Sequence, residues 1–304
     1  MRIVVKFILN ALVSVVYYGA YKIYKGVSYL SPKYSRILWF KSKLSGVNND
    51  IIDVIHKDLL KNEIKMKFAS SNLIGDLRAY SFSVKEPETL SWIEQCPDGV
   101  FFDIGANIGL YTIYYGLVKH SKIYAFECAA FNLPGLVKNI NLNSMAYKVN
   151  IISTPLGDKQ GFESLYLCGM DEGLAGHVFA SDCDESGDKH NYEYSSSLLG
   201  MSLDYMFTSG LISDIPVNIK IDVDGTEGQI IAGAIQTLAH PDCKNILIEV
   251  NESVKSVSDK INHQLISCGF ILKSKVYKKH NADKNEFGNY SYVSNQIWSK
   301  EQKN

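Results

Sequence analysis

The sequence has few of the residues that define a small cross-linked or repetitive protein. Its six cysteines are scattered, with no C-x-x-C pair and no cysteine–histidine cluster at metal-ligand spacing. Free thiols in a reducing compartment are therefore expected, rather than disulfides or a structural zinc site. The 304 residues contain only 7 prolines and 22 glycines and no repeat, which excludes a collagen-like or low-complexity chain. With 46% hydrophobic residues, the chain can form a large core in one α/β domain or two smaller domains.

Acidic residues are absent from positions 1–49, where eight basic residues give a charge of +8. The rest of the chain then contains 23 basic and 32 acidic residues, a charge of −9, although the total is only −1. A body of this charge would repel a phosphate backbone, so nucleic acid is not an expected partner. The basic arm is expected to meet an anionic surface or another protein.

Residues 3–24 are largely apolar and predict an amphipathic helix within a basic N-terminal helix and linker over 1–49. A signal peptide is not expected, because tyrosines and Lys22 stand where a cleavage site needs small residues. Lys6 interrupts the apolar run, which is marginal for spanning a membrane. Three alternatives remain: a helix on the anionic cytoplasmic leaflet, a spanning helix, and a helix packed on protein. Both membrane alternatives place the body in the cytoplasm, since more positive charge follows the helix.

Residues 50–84 predict an extension made of a helix and a hairpin. Apolar residues at helical spacing predict the helix over 50–64, and alternating segments at 64–70 and 77–83 predict the hairpin. A proline followed by an acidic residue predicts a short helix over 87–95.

From residue 99 onward, short apolar strands alternate with helices, which is typical of a parallel sheet with helices on both faces. We predict an α/β fold with a seven-strand, mostly parallel sheet that ends in a C-terminal antiparallel hairpin. The first five strands are expected at 99–104, 122–127, 149–154, 217–223 and 245–250, and the hairpin strands at 271–278 and 291–298. The segment 157–200 is too long for an ordinary connection, so we expect a functional insertion there.

A glycine-rich turn lies where the first strand should meet the first helix. Gly105 and Gly109 let the backbone approach a ligand, and Glu127 ends the next strand, where a carboxylate can bind ribose hydroxyls. The dinucleotide pattern G-x-G-x-x-G is missing, because Asn107 and Leu110 occupy its second and third glycine positions. No G-K-[ST] sequence for a phosphate-binding loop occurs either. The spacing therefore excludes a nicotinamide-dependent oxidoreductase.

Asp103 precedes this turn and puts a carboxylate where a pyrophosphate would have to lie. A carboxylate there suits a cationic or zwitterionic ligand better than a phosphate. Together with the relaxed glycine spacing and Glu127, it indicates S-adenosylmethionine as the cofactor.

Two sequence blocks resemble those of the FkbM family of S-adenosylmethionine-dependent methyltransferases. The first is D-I-G-A-N-I-G-L-Y-T at 103–112, followed by a strand ending in Glu127 and an N-x-x-x-N helix end at 139–143. The second is I-K-I-D-V-D-G-T-E at 219–227, followed by I-E-V at 248–250. The two blocks occur in the order that the family shows.

The resemblance implies a Rossmann-like methyltransferase domain over 85–304 that O-methylates a sugar hydroxyl in a glycan or lipid-linked saccharide, as in polysaccharide biosynthesis. The cofactor-binding residues that it implies are Asp103, Gly105, Asn107, Gly109, Tyr111, Glu127 and Asp222. The chain departs from the family at Cys128, where proline is usual, and at Asn251, near which histidine is common. The second departure puts a histidine base at that place in doubt.

The second block also predicts acidic groups at the ligand-binding edge of the sheet, because the carboxyl ends of parallel strands meet there. Asp222 and Asp224 are candidates for the base or for positioning the acceptor, and His177 in the insertion is the alternative base. With Glu249, the two aspartates could also bind a divalent metal, which we do not expect.

Simpler structural roles compete with these. Asp224 and Glu227 can serve only as helix caps, and Thr226-x-x-Gln229 predicts a capping box. Aromatic residues of the insertion can stack on a sugar or merely pack: Phe162, Tyr166, Phe179, Tyr192 and Tyr194. Two further functions remain open, a non-catalytic methyltransferase-like binding module in a glycan assembly complex and a methyltransferase of a small molecule.

Overall fold

The computed structural model describes residues 51–181, 192, 194–277 and 292–301. The predicted helix at 3–24 lies outside these residues and stays a prediction. The domain boundaries predicted before residues 50 and 85 also stay predictions. In the part of the chain that is described, no helix combines the length and the hydropathy needed to cross a bilayer.

The described residues form twelve strands and eight helices. The strands are β1 (Ile51–Lys57), β2 (Glu63–Ala69), β3 (Phe101–Ile104), β4 (Ile123–Phe126), β5 (Val149–Ile152), β6 (Gly161–Leu167), β7 (Val178–Phe179), β8 (Tyr194–Gly200), β9 (Asn218–Ile221), β10 (Asn245–Asn251), β11 (Ile271–Tyr277) and β12 (Val293–Ser299). The helices are α1 (Leu73–Lys85), α2 (Pro87–Gln95), α3 (Leu110–Val118), α4 (Leu133–Leu142), α5 (Leu203–Thr208), α6 (Glu227–Ala232), α7 (Ile235–Ala239) and α8 (Lys255–Ser267).

Seven strands form the central sheet, in the spatial order β11-β12-β10-β9-β3-β4-β5. β12 runs antiparallel to both of its neighbours, and the other pairs are parallel. This confirms the predicted sheet and its C-terminal hairpin. The chain starts at β3, moves outward to β5 and returns to β9 on the other side of β3. Such a reversal leaves a crevice at the carboxyl ends of β3 and β9, where α/β proteins bind ligands.

Successive residues of the sheet strands face two separate apolar cores, because side chains of a strand alternate between its faces. Phe101 and Leu247 belong to the core that includes residues of α1–α4. Phe102 and Ile246 belong to the core that includes residues of α5–α8. Helices therefore cover both faces of the sheet, as expected.

The extension agrees with the prediction in one strand and differs elsewhere. The strand predicted at 64–70 is present as β2. Residues 51–57 form strand β1 rather than the start of a helix over 50–64, and they pair antiparallel with β2. The second predicted hairpin strand, 77–83, lies within helix α1. The helical prediction was wrong because apolar residues four positions apart, such as Ile51 and Ile55, fit a two-residue period as well as a helical one.

Two asparagines one turn apart, Asn139 in α4 and Asn143 directly after it, hold β2 against the main domain. Oδ1 of Asn139 accepts from the backbone N–H of Ala69 at 2.7 Å. Asn143 accepts from the N–H of Lys67 at 2.9 Å and donates to the carbonyl of Lys67 at 2.7 Å. Asn139 also donates to the carbonyl of Ile108 at 2.9 Å. The N-x-x-x-N helix end therefore joins the β1–β2 hairpin to the glycine-rich turn.

The insertion predicted at 157–200 contains a second sheet, in the order β7-β6-β8, with antiparallel pairing. After β9 the chain forms two short helices, α6 and α7, which are separated at Gly233. A Cβ atom at Gly233 would lie 2.0 Å from the carbonyl oxygen of Gly157, so this close contact between the insertion and the domain requires glycine.

The strand assignment of β2 predicts a stability effect. Phe68 is 0% exposed, so Phe68→Ala should lower the free energy of unfolding by about 3 to 5 kcal/mol. Lys65→Ala on the exposed face of the same strand is the matched control and should change it by less than about 0.5 kcal/mol. Chemical denaturation measures both values. Equal effects of the two variants would contradict the observed register.

Candidate functional site

Two glycines determine the shape of the turn between β3 and α3. Gly105 has φ +83°, and a Cβ atom there would lie 1.9 Å from the carbonyl oxygen of Asp222. Gly109 has φ +88°, and its Cβ atom would lie 2.6 Å from Cδ1 of Leu136. Since only glycine allows both contacts, the turn brings the loops after β3 and β9 together and leaves a cleft above them.

Glu127 follows β4, is 8% exposed and lines this cleft together with Asn107. Its Oε2 accepts from the backbone N–H of Asn107, and its Oε1 accepts from that of Ala129, both at 2.7 Å. Burial raises the pKa of Glu127 above its usual value, although these N–H groups oppose the change. A carboxylate has about four lone-pair sites, so it can also accept hydrogen bonds from ribose hydroxyls.

Asp103 lies beneath the turn rather than in the wall of the cleft. It is 0% exposed, and its Oδ2 accepts from Oγ1 of Thr112 at 2.5 Å. Its Oδ1 lies 3.9 Å from Nζ of Lys220. Asp103 is therefore not among the residues that line the cleft, and its predicted contact with the cofactor stays a prediction. The structure connects its charge to the site through Lys220.

Lys220 is a buried lysine in β9 that the motif analysis missed. Its side chain is 1% exposed, and Nζ lies 3.0 Å from Oδ2 of Asp222. Burial alone would lower the pKa of Lys220, but the carboxylates of Asp222 and Asp103 outweigh it and hold that pKa above its usual value. A single lysine between two isoleucines of a buried strand, followed by an acidic residue, was the available signal.

Tyr111, whose predicted contact with the cofactor stays a prediction, links Lys220 to Glu86 before α2. Nζ of Lys220 lies 5.0 Å from the centre of the Tyr111 ring, a cation–π distance. The hydroxyl of Tyr111 donates to Oε2 of Glu86 at 2.8 Å. Burial, together with Glu86, raises the pKa of Tyr111 well above its usual value, which keeps the hydroxyl a donor.

Three carboxylates meet beside the cleft, and one of them was not predicted. Glu86, Asp222 and Glu249 each place an oxygen atom within 4.8 Å of the others. Sequence reasoning had grouped Asp222 and Glu249 with Asp224, which is not a member of this group. Oxygen ligands of this kind suit a divalent cation such as Mg²⁺ or Ca²⁺. The ammonium of Lys220 already supplies one positive charge to Asp222.

Asp224 lines the cleft but also holds the insertion. It has φ +59°, and its Oδ2 accepts from the backbone N–H of Gly176 at 2.7 Å. Asn132 and Asn107 bind the same loop, since Asn132 accepts from the N–H of Gly173 at 2.7 Å and Asn107 donates to the carbonyl of Leu174 at 3.0 Å. Asp224 is therefore positioned as a loop anchor.

His177 also lines the cleft, at the end of this anchored loop. Its Nδ1 lies 3.7 Å from Sγ of Cys168, and its buried Nε2 makes no hydrogen bond to the described residues. Burial lowers the pKa of His177, so the ring is neutral at neutral pH and can accept a proton. The structure thus brings all three predicted catalytic residues, Asp222, Asp224 and His177, to one cleft.

The capping box predicted after β9 was wrong. Thr226 makes no side-chain cap of α6. Oε1 of Glu227 instead accepts from the backbone N–H groups of Val223 and Gly225, each at 3.2 Å. Glu227 therefore has a structural role in the loop that carries Asp222.

The sequence model of the Methyltransferase FkbM domain matches residues 103–272, which is more than half of the chain and includes both sequence blocks. The chain belongs to the FkbM methyltransferase family. Glu86 and helix α1 lie outside the matched residues, so the family match does not assign them a role. No curated protein sequence matches the chain.

Several solved structures are similar to this FkbM-family chain. An FkbM methyltransferase from Methylobacillus flagellatus KT is 13% identical with a TM-score of 0.43, and the match covers 66% of this chain and 43% of that one. Precorrin-6y C5,15-methyltransferase from Geobacter metallireducens GS-15 is 13% identical, with a TM-score of 0.41 and coverages of 71% and 87%. M. jannaschii TYW2, in complex with AdoMet, is 12% identical, with a TM-score of 0.41 and coverages of 82% and 86%.

The position of Glu127 predicts a test of cofactor binding. Glu127→Gln should weaken S-adenosylmethionine binding about 10- to 100-fold in calorimetry, because hydrogen bonds to a charged acceptor are lost. The affinity of the wild type should also fall as the pH is lowered through the raised pKa of Glu127, and the variant should show a smaller fall. Glu301→Gln, on an exposed glutamate, is the control. An unchanged affinity of the Glu127→Gln variant would show that Glu127 does not bind the cofactor.

Proposed function

We propose that this protein transfers a methyl group from S-adenosylmethionine to a hydroxyl of a sugar in a glycan or lipid-linked saccharide. The observation that carries the proposal is the meeting of Glu86, Asp222 and Glu249 beside a cleft that also contains Glu127. Membership of the FkbM family supports methyl transfer. The carboxylates support a hydroxyl acceptor, because an ionised carboxylate accepts a hydroxyl hydrogen bond and can take its proton.

The residues around the cleft fit such a cofactor. Glu127 would bind ribose hydroxyls, and the glycine-rich turn would let the backbone approach the ligand. Asp222, at the end of β9, supplies a negative charge where a cationic group would bind. When bound, S-adenosylmethionine supplies a methyl group carried on a sulfonium, and loss of this group would convert the sulfonium into a neutral thioether.

The protein must mainly align donor and acceptor, since the acceptor oxygen has to approach the methyl carbon in line at about 3 to 3.5 Å. The C–O bond then forms as the C–S bond breaks, and the hydroxyl proton passes to a base on the protein. Asp222 is the first candidate, because Lys220 hydrogen-bonds its Oδ2 and fixes the carboxylate. Neutral His177 is the second candidate. Asp224 orients the loop that carries His177.

A sugar acceptor is further supported by an aromatic residue in the lining of the cleft. Phe179 of the insertion lines the wall near His177, and an aromatic face can pack on the C–H groups of a sugar ring. Glu86, Asp222 and Glu249 would bind Mg²⁺ or Ca²⁺ if the reaction uses one, since their oxygens are close enough to share an ion.

Methyl transfer is tested with labelled S-adenosylmethionine and a glycan and glycolipid extract of the producing cell. The wild type should label a saccharide, and Asp222→Asn should lower the rate about 100-fold through loss of the base. Glu301→Gln should behave as the wild type. Mass spectrometry of surface glycans should show the loss of one CH₂ mass when the gene is deleted. Cofactor binding without any transfer would support a binding module instead, and label confined to small molecules would contradict a saccharide acceptor.

We also propose that the basic N-terminal arm holds the protein on the cytoplasmic face of a membrane. The support is its charge of +8 with an amphipathic segment at 3–24. Deleting residues 1–30 should move the protein from the membrane fraction to the supernatant in cell fractionation. An unchanged membrane fraction would contradict the proposal.

A further inference from the structure

Helix α1 presents two cations to the cleft. Arg78 and Lys85 both line it. They are seven residues apart, which is close to two helical turns, so they lie on the same side of the helix. The acidic residues of the cleft lie on different elements, after β4, β9 and in β10. The cleft is therefore divided into an acidic side at the sheet edge and a basic side on α1.

Arg78 is held beside the insertion by a backbone contact. Its Nε donates to the carbonyl of Gly173, the loop that Asn132 and Asp224 also anchor. Among residues 51–181, 192, 194–277 and 292–301, no carboxylate forms a salt bridge with its guanidinium, and no hydrogen bond comes from its terminal nitrogens. One backbone contact thus orients the guanidinium. Within the described residues, its two terminal nitrogens can still donate hydrogen bonds to a ligand.

Arg78 contacts the loop that leads to His177, because its Nε donates to the carbonyl of Gly173. Burial lowers the pKa of His177, and the charge of Arg78 contributes to the same change. Lys85 ends α1, is exposed, and lies 3.5 Å from Oε1 of Glu86, a member of the carboxylate group. Both cations thus border the groups that we assign to the acceptor.

We propose that Arg78 and Lys85 form an anion subsite in the acceptor part of the cleft, for a phosphate or carboxylate group carried by the acceptor. This inference rests on the proposed methyl transfer and narrows the acceptor to an anionic saccharide, such as a sugar phosphate or an acidic sugar. The planar guanidinium matches two oxygens of a phosphate or carboxylate, and the lysine adds a mobile point charge. The acid groups then face the reacting hydroxyl while the cations fix the other end of the acceptor.

Inorganic phosphate is the first probe, titrated calorimetrically into the full chain loaded with S-adenosylhomocysteine. The wild type should bind it saturably, and the double variant Arg78→Gln/Lys85→Gln should bind at least about tenfold more weakly. Lys260→Gln, which removes one exposed charge from α8, is the control and should match the wild type. Equal phosphate binding by the double variant would overturn the subsite.

The cofactor has a carboxylate of its own, which Arg78 and Lys85 would bind if they served the cofactor. A second experiment distinguishes this carboxylate from an anion on the acceptor. The double variant should bind S-adenosylhomocysteine with an affinity within about twofold of the wild type, because the subsite serves the acceptor. A tenfold loss of this affinity, with phosphate competing against S-adenosylhomocysteine, would assign the cations to the cofactor and overturn the proposal.

A third arm separates this inference from the methyl transfer on which it rests. With the cell extract, the labelled product of the wild type should be retained on an anion exchanger, and Arg78→Gln should raise the KM for that acceptor about tenfold with kcat near the wild-type value. Label in neutral saccharides at equal rates for both enzymes would overturn the anion subsite and leave methyl transfer standing. Absence of transfer by the wild type would overturn the proposed function, and the phosphate titration would still decide the subsite.

Discussion

The candidate site depends on one buried positive charge, the ammonium of Lys220. It lies 3.0 Å from Asp222, which follows β9, and 3.9 Å from Asp103, which belongs to β3. Removing one member of a buried ion pair leaves an uncompensated charge, which is strongly destabilising. Each of the three groups therefore requires the other two. The segments that follow β3 and β9 also lie close together, because Gly105 contacts the carbonyl of Asp222.

Around this centre, polar contacts connect three parts of the chain that are distant in sequence. Tyr111 joins Lys220 to Glu86 at the start of α2. Asn107 joins both Glu127 and the insertion loop. Asp224 joins the end of β9 to Gly176 of that loop. The cofactor side and the acceptor side of the cleft are consequently built on the same turn, which favours alignment of two reacting groups.

The sequence was sufficient to predict those features that depend on short spacings. The alternation of apolar strands and helices predicted the central sheet, and the glycine-rich turn with Glu127 predicted one wall of the cleft. The helix over 50–64 was wrong because Ile51 and Ile55 satisfy two periodicities at once. Sequence spacing also did not distinguish Asp222 from Asp224, since a φ of +59° at Asp224 turns the chain between them.

Glu86 and Arg78 have roles that short spacings do not reveal, and the pattern around Lys220 did not reveal its partner Asp103. These roles depend on contacts that only the folded chain creates: Glu86 with Tyr111, Lys220 with Asp103, and Arg78 with the carbonyl of Gly173. Asn139 and Asn143 were visible as a spacing, but their hydrogen bonds depend on the packing of β2 against the end of α4, which the sequence did not predict. Tertiary contacts therefore decide the composition of the acceptor side.

The most direct measurement is a crystal structure of the full chain with S-adenosylhomocysteine bound. The account predicts ribose hydroxyls within hydrogen-bonding distance of Glu127, and the sulfur atom facing Asp222 and the carboxylates beside it. Arg78 should remain free of the ligand's carboxylate. A ribose bound away from Glu127, or a sulfur atom outside this cleft, would contradict the account.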